Sequence, residues 1–285
     1  MINGKHKLAI FDIDGTIAKA GQIPPEVVAG IKHLQDIGYT TTVSSGRGYV
    51  RVLELFGDLF EKLISPDALI ITEHGTKIVN RDGKIEFAEY LAEDDIGHVM
   101  DFIRANIEII KLVWFNSNAT DKLKVWVYDE KDVSAEREKR GGYADVEHGS
   151  LGQLSKDLLA QRLSNISARL HDHVKVQNLK LALSHTPLSL VFLDGNMEFI
   201  RNNANKGLAV EYLLKRHGLS VKDLMVAGNA INDVEMLDID AAYRVVVGEP
   251  VNREPVIARL SDTETLTLVE SPQAFGRWMQ THIAK

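Results

Sequence analysis

Two aspartates that follow a short apolar run are the first residues of this sequence able to do chemistry. Asp12 and Asp14 stand two positions apart, directly after the apolar run that ends at Phe11. A carboxylate such as Asp12 can attack phosphorus and give an acyl phosphate, which water then hydrolyses. Asp14 can protonate the leaving alkoxide and later deprotonate the attacking water. Carboxylates this close are expected to have pKa values pushed apart, which suits divided roles.

Three later segments supply the other groups that phosphoryl transfer needs. The Ser45 hydroxyl and the Gly46 amide can donate to phosphate oxygens, and Lys206 can neutralise charge on the transferring group. A second acidic turn lies at 228–233. Two carboxylate-bearing turns facing a phosphate form a hard oxygen-ligand site, which suits Mg²⁺.

Each segment taken alone has a simpler explanation as a turn, a loop or a helix N-cap. The four segments, however, occur in order, and each stands at a predicted strand end or helix start. Open parallel sheets bind ligands in the crevice outside the carboxyl ends of their strands. We therefore expect the four segments to meet at one edge of a sheet.

The elements that must position these residues alternate between two periods. Short apolar runs over 7–11, 40–44 and 68–72 predict strands, and helical spacing from Pro24 and over 46–60 predicts helices. This alternation is typical of a parallel sheet with crossover helices. It resumes late in the chain, where we predict helices over 207–216 and from 233, and strands over 224–226 and 243–247.

The pattern between these two stretches is different. Lys77 to Ala88 predicts a β-hairpin around Asp82-Gly83. Further on, we predict paired strands over 112–115 and 124–128 and a helix over 153–170. The sequence thus predicts an α/β core over 1–80 and 201–285, interrupted by an inserted α+β domain over 81–200.

Composition limits the class of protein. The 285 residues carry a formal net charge of -7, and this argues against a nucleic-acid partner. There is no cysteine, which excludes disulfides, thiolate metal sites and a cysteine nucleophile. We find no secretory signal pattern and no apolar stretch near the roughly 18 residues of a membrane span. We expect a cytoplasmic protein without a membrane partner, and the oligomeric state is left open.

The segments FDIDGT, VSSGR, NKG and GNAINDVEML resemble the four motifs of the haloacid-dehalogenase-like superfamily. The place of the inserted domain is similar to that of the type C2 caps. The turn Glu73-His74-Gly75 resembles the Glu-Asn-Gly turn of the Cof-type subfamily IIB, which has a C2B cap. The resemblance implies an α/β, Rossmann-like parallel-sheet core with an inserted C2-type cap.

The resemblance also implies roles for individual residues. Asp12 would be the nucleophile, Asp14 the acid and base, and Lys206 the residue that neutralises charge. Ser45, with Gly46, would contact the phosphate. The Asp14 backbone carbonyl would join the metal shell, and Asp233 would lie in or near that shell.

Residue 229 departs from the family pattern. The fourth motif usually begins Gly-Asp, and that aspartate binds the metal, whereas here the residue is Asn229. An amide oxygen can still coordinate a hard cation, but one negative charge is lost. We therefore expect weakened Mg²⁺ binding at a site formed by Asp12, Asp14, Asn229 and Asp233.

We predict a Mg²⁺-dependent phosphatase that hydrolyses a small phosphorylated metabolite, such as a sugar phosphate, through an aspartyl-phosphate. The cap would close over the site and exclude water. Two alternatives stay open at this point. One is a phosphomutase of the phosphomannomutase type, and the other is a phospho-ligand-binding protein that has lost turnover through Asn229.

Overall fold

The computed structural model describes residues 7–116, 123–171, 183, 185–193 and 195–284. The chain divides into two compact units, the first formed by Met1–Ala88 with Ala204–Lys285 and the second by Glu89–Asn203. The insertion predicted over 81–200 therefore has both its boundaries a few residues earlier in the chain than the second unit, Glu89–Asn203. Among the helices of these residues, none combines the length and the apolar character that a bilayer span requires.

The first unit contains alternating strands and helices on both sides of the insertion. Before it, the elements are β1 (Lys7–Phe11), α1 (Pro25–Asp36), β2 (Tyr39–Val43), α2 (Tyr49–Phe56), α3 (Phe60–Leu63), β3 (Ile70–Thr72), β4 (Lys77–Val79) and β5 (Ile85–Ala88).

In the second unit they are α4 (Glu93–Ala105), β6 (Ile110–Asn116), β7 (Leu123–Val127), α5 (Asp132–Arg140), β8 (Ala144–His148), α6 (Leu151–Leu159), β9 (Ile166–Leu170), β10 (Leu188–Leu193) and β11 (Asn196–Arg201). After the insertion, the first unit resumes with α7 (Lys206–His217), β12 (Leu224–Gly228), α8 (Val234–Leu237), β13 (Tyr243–Val247), α9 (Pro250–Ile257), β14 (Leu266–Val269) and α10 (Pro272–His282).

The main sheet of the first unit is parallel throughout, with the strand order β14-β13-β12-β1-β2. From β1 the chain moves to β2 on one side and, after the insertion, to β12 on the other. The strand order reverses at this point, and in parallel sheets the ligand crevice lies at such a switch point. The predicted parallel α/β fold is confirmed.

Strand β1 separates the two hydrophobic cores of this unit. Ala9 and Phe11 pack in the same core as side chains of α1 and α10. Leu8 and Ile10 belong to the other core, which includes side chains of α7. All four side chains are at most 1% exposed. The period-two alternation therefore buries both faces, as expected of a strand covered by helices on each side.

A small antiparallel sheet, β3-β4-β5, extends this unit, and the predicted hairpin over 77–88 is present as β4 and β5. A bridge between Ser44 and Ile71 places β3 beside the end of β2. β5 is an edge strand on which Ile85 and Phe87 are exposed.

The second unit contains a six-stranded sheet in the order β10-β11-β9-β6-β7-β8. All neighbours are antiparallel except β7 and β8. Its main core combines one face of the sheet with side chains of α4 and α6. The pairing predicted between 112–115 and 124–128 is confirmed, with Leu112 opposite Val127.

The helix predicted over 153–170 is wrong in its second half. Helix α6 ends at Leu159, and Ile166–Leu170 forms β9, the strand between β6 and β11. Ile166, Ala168 and Leu170 face the main core of this unit. The apolar residues thus recur with a period of two, and their pairing with two neighbouring strands outweighs the helical continuation.

A buried arginine in β13 anchors the loop that precedes β14, the edge strand of the main sheet. Arg244 is 1% exposed, and its guanidinium donates to the backbone oxygens of Leu237 (2.7 Å) and Asp262 (2.8 Å). It also donates to the Asp262 carboxylate at 3.0 Å and to the Thr265 hydroxyl at 3.1 Å. The loop before β14 is therefore tied to β13 through one side chain.

We expect Arg244→Met to lower the free energy of unfolding by about 2–4 kcal/mol, because it leaves buried carbonyl oxygens without a donor. Denaturant unfolding measures this change. Lys222→Met is the matched control, since the Lys222–Asp240 pair is exposed and is expected to contribute less than about 1 kcal/mol. Equal losses in the two variants would contradict the structural role of Arg244.

Candidate active site

Asp12 lies immediately after β1, at the switch point of the main sheet, and is 6% exposed. Its amide donates to the carbonyl of Ala227 in β12 at 2.9 Å, so the backbone is fixed where the strand ends. The side chain is held on both oxygens, by Lys206 on Oδ1 at 2.6 Å and by the Thr16 hydroxyl on Oδ2 at 3.1 Å. The predicted nucleophile is therefore buried and fixed in orientation.

Lys206 begins α7, where the Asn205 side chain caps the helix by accepting from the Leu208 amide at 2.8 Å. Its side chain is fully buried and Nζ lies 2.6 Å from both Asp12 Oδ1 and Asp233 Oδ1. Burial alone would lower the pKa of Lys206, but the charges of the two carboxylates raise it well above its ordinary value. The ammonium is thus a permanent positive charge beside Asp12.

Asp233 is buried completely, and protein donors engage both of its carboxylate oxygens. Oδ1 accepts from Lys206, and Oδ2 accepts from the amides of Asn229 and Ala230, each at 2.9 Å. These bonds close the turn after β12 and fix the position of Lys206. Oδ1 accepts from a single donor, so it keeps a lone pair that could bind a cation.

The three charges Asp12, Asp233 and Lys206 sum to one net negative charge in a buried space. Burial raises the pKa of Asp12 to about 6, and the negative charge of Asp233 adds to this, while Lys206 opposes it. One lysine therefore does not fully compensate the two carboxylates. A further cation next to Asp12 would favour its ionised form.

Thr16 brings Asp12 and Asn229 to the same point. Its hydroxyl lies 3.1 Å from Asp12 Oδ2 and 3.2 Å from Asn229 Oδ1. A hydroxyl has a single proton, so it can donate to only one of the two acceptors at a time. Two acceptor oxygens from different loops therefore converge on one donor, and a cation could serve both.

Gly15 allows this close approach. Its φ is +86°, and a Cβ on it would lie 2.1 Å from the amide nitrogen of the Asn229 side chain. A residue with a side chain would therefore be strained in its backbone and would displace Asn229. Gly15 of the first motif is therefore needed for the Asn229 side chain of the fourth motif to occupy this position.

The side chains that converge at this point are chemically suited to binding Mg²⁺. Asp12 and Asn229 offer two hard oxygens, and Mg²⁺ is usually held by one or two carboxylates together with phosphate and water. Across the parts of the chain that the structure describes, no cluster of three or more His, Cys, Asp or Glu side chains is arranged for a metal. The site would therefore hold Mg²⁺ through few protein ligands.

Asp14 is the exposed member of the predicted set. Its two carboxylate oxygens accept from Arg47 Nε at 2.7 Å and Nη2 at 2.8 Å, a bidentate ion pair. The hydrogen bond with Asp14 raises the pKa of Arg47 above its ordinary value. The guanidinium therefore fixes Asp14 in one orientation.

Ser45 and Gly46 lie just beyond the end of β2. Ser45 is 2% exposed and its hydroxyl oxygen accepts from the Arg47 amide at 3.1 Å. Since the hydroxyl is the acceptor in that bond, its proton can be directed at a phosphate oxygen. The first unit thus contains every predicted site residue, and the contacts described above join Asp12, Lys206, Asn229 and Asp233 directly.

Three residues that contact the predicted site residues, Thr16, Arg47 and His74, have no role predicted from the sequence. Thr16 follows Asp12 by four positions, and Arg47 is the last residue of the second motif, so both signals were present in the motifs. The imidazole of His74 packs against Gly46. No local pattern indicates that contact.

We expect Lys206→Met to lower the free energy of unfolding by about 3–5 kcal/mol, because Asp12 and Asp233 would then face each other without a cation. Denaturant unfolding tests this. The control is Lys215→Met, an exposed lysine in the last turn of the same helix. If Lys206→Met is as stable as the control, the buried triad does not stabilise the fold.

Comparisons with known proteins point to one family. The sequence profile of the haloacid dehalogenase-like hydrolases matches residues 9–251. The HMP-PP phosphatase of Escherichia coli O157:H7 (strain EC4115 / EHEC) is 26% identical over 245 residues, which cover 81% of this chain and 80% of that protein.

Solved structures share the fold at low sequence identity. A HAD superfamily phosphatase, BT1666 from Bacteroides thetaiotaomicron, matches with a TM-score of 0.73 at 15% identity, covering 98% of this chain and 95% of its own. The HAD subclass IIB sugar phosphatase BT4131 matches with a TM-score of 0.72 at 16% identity, covering 96% and 98%.

The predicted family and the predicted enzyme class, a phosphatase of that family, are therefore confirmed. The fold agrees with the subclass predicted from the Glu73–Gly75 turn and the inserted segment. Because the profile spans most of the first unit and all of the second, the chain belongs to the haloacid dehalogenase-like hydrolases.

Proposed function

We propose that this protein hydrolyses a small phosphorylated metabolite through an acyl phosphate formed on Asp12, with Mg²⁺ as the cofactor. The observation that supports this most directly is the buried contact between Asp12 and Lys206 at 2.6 Å. A carboxylate fixed beside a permanent cation, at the switch point of a parallel sheet, suits attack on an anionic phosphoryl group.

In the first half-reaction, an Asp12 oxygen forms a bond to phosphorus while the bond from phosphorus to the ester oxygen breaks. The leaving alkoxide takes a proton from Asp14. In the second half-reaction, water attacks phosphorus and gives a proton to Asp14. The bond to Asp12 then breaks, which releases phosphate and restores both carboxyl groups.

The remaining residues stabilise the negative charge that develops on Asp12 and on the phosphoryl group during these steps. Lys206 offsets negative charge on Asp12 and on the phosphoryl oxygens, and Ser45 and the Gly46 amide donate to those oxygens. Asp12, Asn229 and the Asp14 carbonyl would hold Mg²⁺, which supplies Lewis-acid stabilisation of the phosphoryl charge. Asp233 would position Lys206 through its Oδ1 and would lie in or near the Mg²⁺ shell.

Arg47 must release Asp14 for the acid step, since both oxygens of Asp14 are paired with the guanidinium. The bidentate pair holds Asp14 in one orientation next to Arg47. We further propose that the first unit is the catalytic core and that the inserted second unit is the cap.

The substrate class follows from the relatives by analogy. One relative is an HMP-PP phosphatase and one structural neighbour is a sugar phosphatase. We therefore propose a small organic phosphate, with sugar phosphates as the first group to be tested.

One observation favours a second candidate, a phospho-ligand-binding protein without turnover. Asn229 replaces a carboxylate at the point where the loops converge. In the described ranges 7–116, 123–171, 183, 185–193 and 195–284, no three acidic, imidazole or thiol side chains come together in a way that could hold a metal. Such a protein would bind a phosphate ester and leave it intact. The two candidates are separated by the variants below.

We expect Asp12→Asn to reduce phosphate release by on the order of 10³-fold or more, because the amide cannot act as the nucleophile. Release from p-nitrophenyl phosphate and from a panel of sugar phosphates, measured with Mg²⁺, gives the rates. Asp36→Asn, an exposed position in α1, is the control and should keep the wild-type rate. A rate near wild type in Asp12→Asn would exclude the proposed acyl phosphate.

We expect Asn229→Asp to bind Mg²⁺ roughly tenfold more tightly, since it adds one negative charge next to the cation. Titration calorimetry with Mg²⁺ measures the affinity, and the Mg²⁺ concentration for half-maximal phosphate release should fall in parallel. Asn252→Asp, an exposed change of the same kind, is the control. If neither wild type nor Asn229→Asp hydrolyses any phosphate ester while both bind one, the protein is a binding protein and not a phosphatase.

A further inference from the structure

The turn between β3 and β4 has a backbone conformation that side chains rarely adopt. Glu73 and His74 have φ values of 50° and 60°, followed by Gly75 at 93°. Among the described residues, Ala20 is the other non-glycine residue with positive φ. Such conformations are energetically costly, and they persist where the surrounding structure imposes them, often at functional sites.

This turn is bonded to the predicted phosphate-binding loop through the main chain. The Glu73 amide donates to the Arg47 carbonyl at 3.1 Å, and the His74 amide donates to the Ser45 carbonyl at 3.0 Å. Gly75 approaches the backbone before α7 so closely that a Cβ on it would lie 2.2 Å from the Asn205 carbonyl oxygen. One turn therefore contacts two of the loops that build the site.

The His74 side chain connects the phosphate-binding loop to a third loop. It is 2% exposed, and its Nδ1 lies 3.3 Å from the amide nitrogen of the Asn232 side chain, in the turn that contains Asn229. The same ring lies against Gly46: Cε1, Nε2 and Nδ1 are 2.4, 2.5 and 3.1 Å from where a Cβ on Gly46 would be. The ring therefore contacts both Gly46 and Asn232.

We propose that His74 is a positioning residue for phosphoryl transfer. Its ring sets the separation between the Gly46 amide, which binds the phosphate, and the turn that carries Asn229. A small displacement of groups that orient a reacting phosphate can cost about 100-fold in rate. The role rests on the proposed phosphatase function and deepens it.

The test is His74→Gly, which removes the ring and leaves a residue suited to a φ of 60°. We expect kcat for phosphate release from p-nitrophenyl phosphate or the best sugar phosphate to fall by about 10- to 100-fold. KM should change by less than about threefold. Removal of a buried ring also costs stability, so the thermal midpoint is measured and kcat is compared at a temperature well below it. Ala20→Gly is the matched control, because it relaxes the other non-glycine positive φ of the described residues and should keep the wild-type kcat.

A second variant measures the contact with Gly46 directly. Gly46→Ala places a methyl group against the ring and should reduce kcat strongly in the wild-type background. In the His74→Gly background the methyl group has room, so the same substitution should cost a much smaller factor. Equal factors in the two backgrounds would show that the ring and Gly46 act independently, and this would overturn the proposal.

The outcomes for the two proposals are distinguishable. If the wild type releases no phosphate from any of these esters, the phosphatase function fails. If the wild type is active and His74→Gly has a kcat within about twofold of it, only the role of His74 fails. Should His74→Gly not fold, His74→Asn is measured instead, because Asn tolerates positive φ and also lacks the ring edge at Gly46. A wild-type kcat in that variant overturns the role equally.

Discussion

The contact of Lys206 with two buried carboxylates is the interaction on which the rest of the site depends. Asp12 and Asp233 come from the loops after β1 and β12, and neither could be buried as an anion without a shared cation. Asp233 in turn accepts from the amides of the loop that carries Asn229. A single ammonium group therefore fixes the proposed nucleophile, the start of α7 and the turn that carries Asn229 with respect to one another.

The loops that meet at this point leave little space for change. Gly15 lies against Asn229, Gly46 against His74, and Gly75 against the backbone before α7. At each of these glycines a Cβ would clash with the neighbouring segment. The absence of a side chain therefore lets the two segments lie close together. The strained turn at Glu73 and His74 belongs to the same arrangement, because its amides hold the loop after β2.

Much of this was predictable because strand ends in a parallel sheet converge. Asp12, Ser45, Lys206 and Asn229 could each be placed at a strand end or helix start from local patterns alone. Their pairing could not, since Asp12 and Lys206 are separated by 194 positions and no local period links them. The contact of His74 with Gly46 depends on an unusual backbone turn, and β9 depends on its sheet partners, so neither could be read from periodicity.

The ion pairs of the two carboxylates to which we assign chemistry, Asp12 and Asp14, differ in their exposure to solvent. Lys206 and its partners are buried, whereas the side chains of Arg47 and Asp14 are 31% and 55% exposed. Dissolved salt weakens ion pairs between exposed side chains, and it screens buried pairs much less. Rising ionic strength therefore weakens the pair that holds Asp14, the proposed acid and base, more than the buried contacts that hold Asp12, the proposed nucleophile.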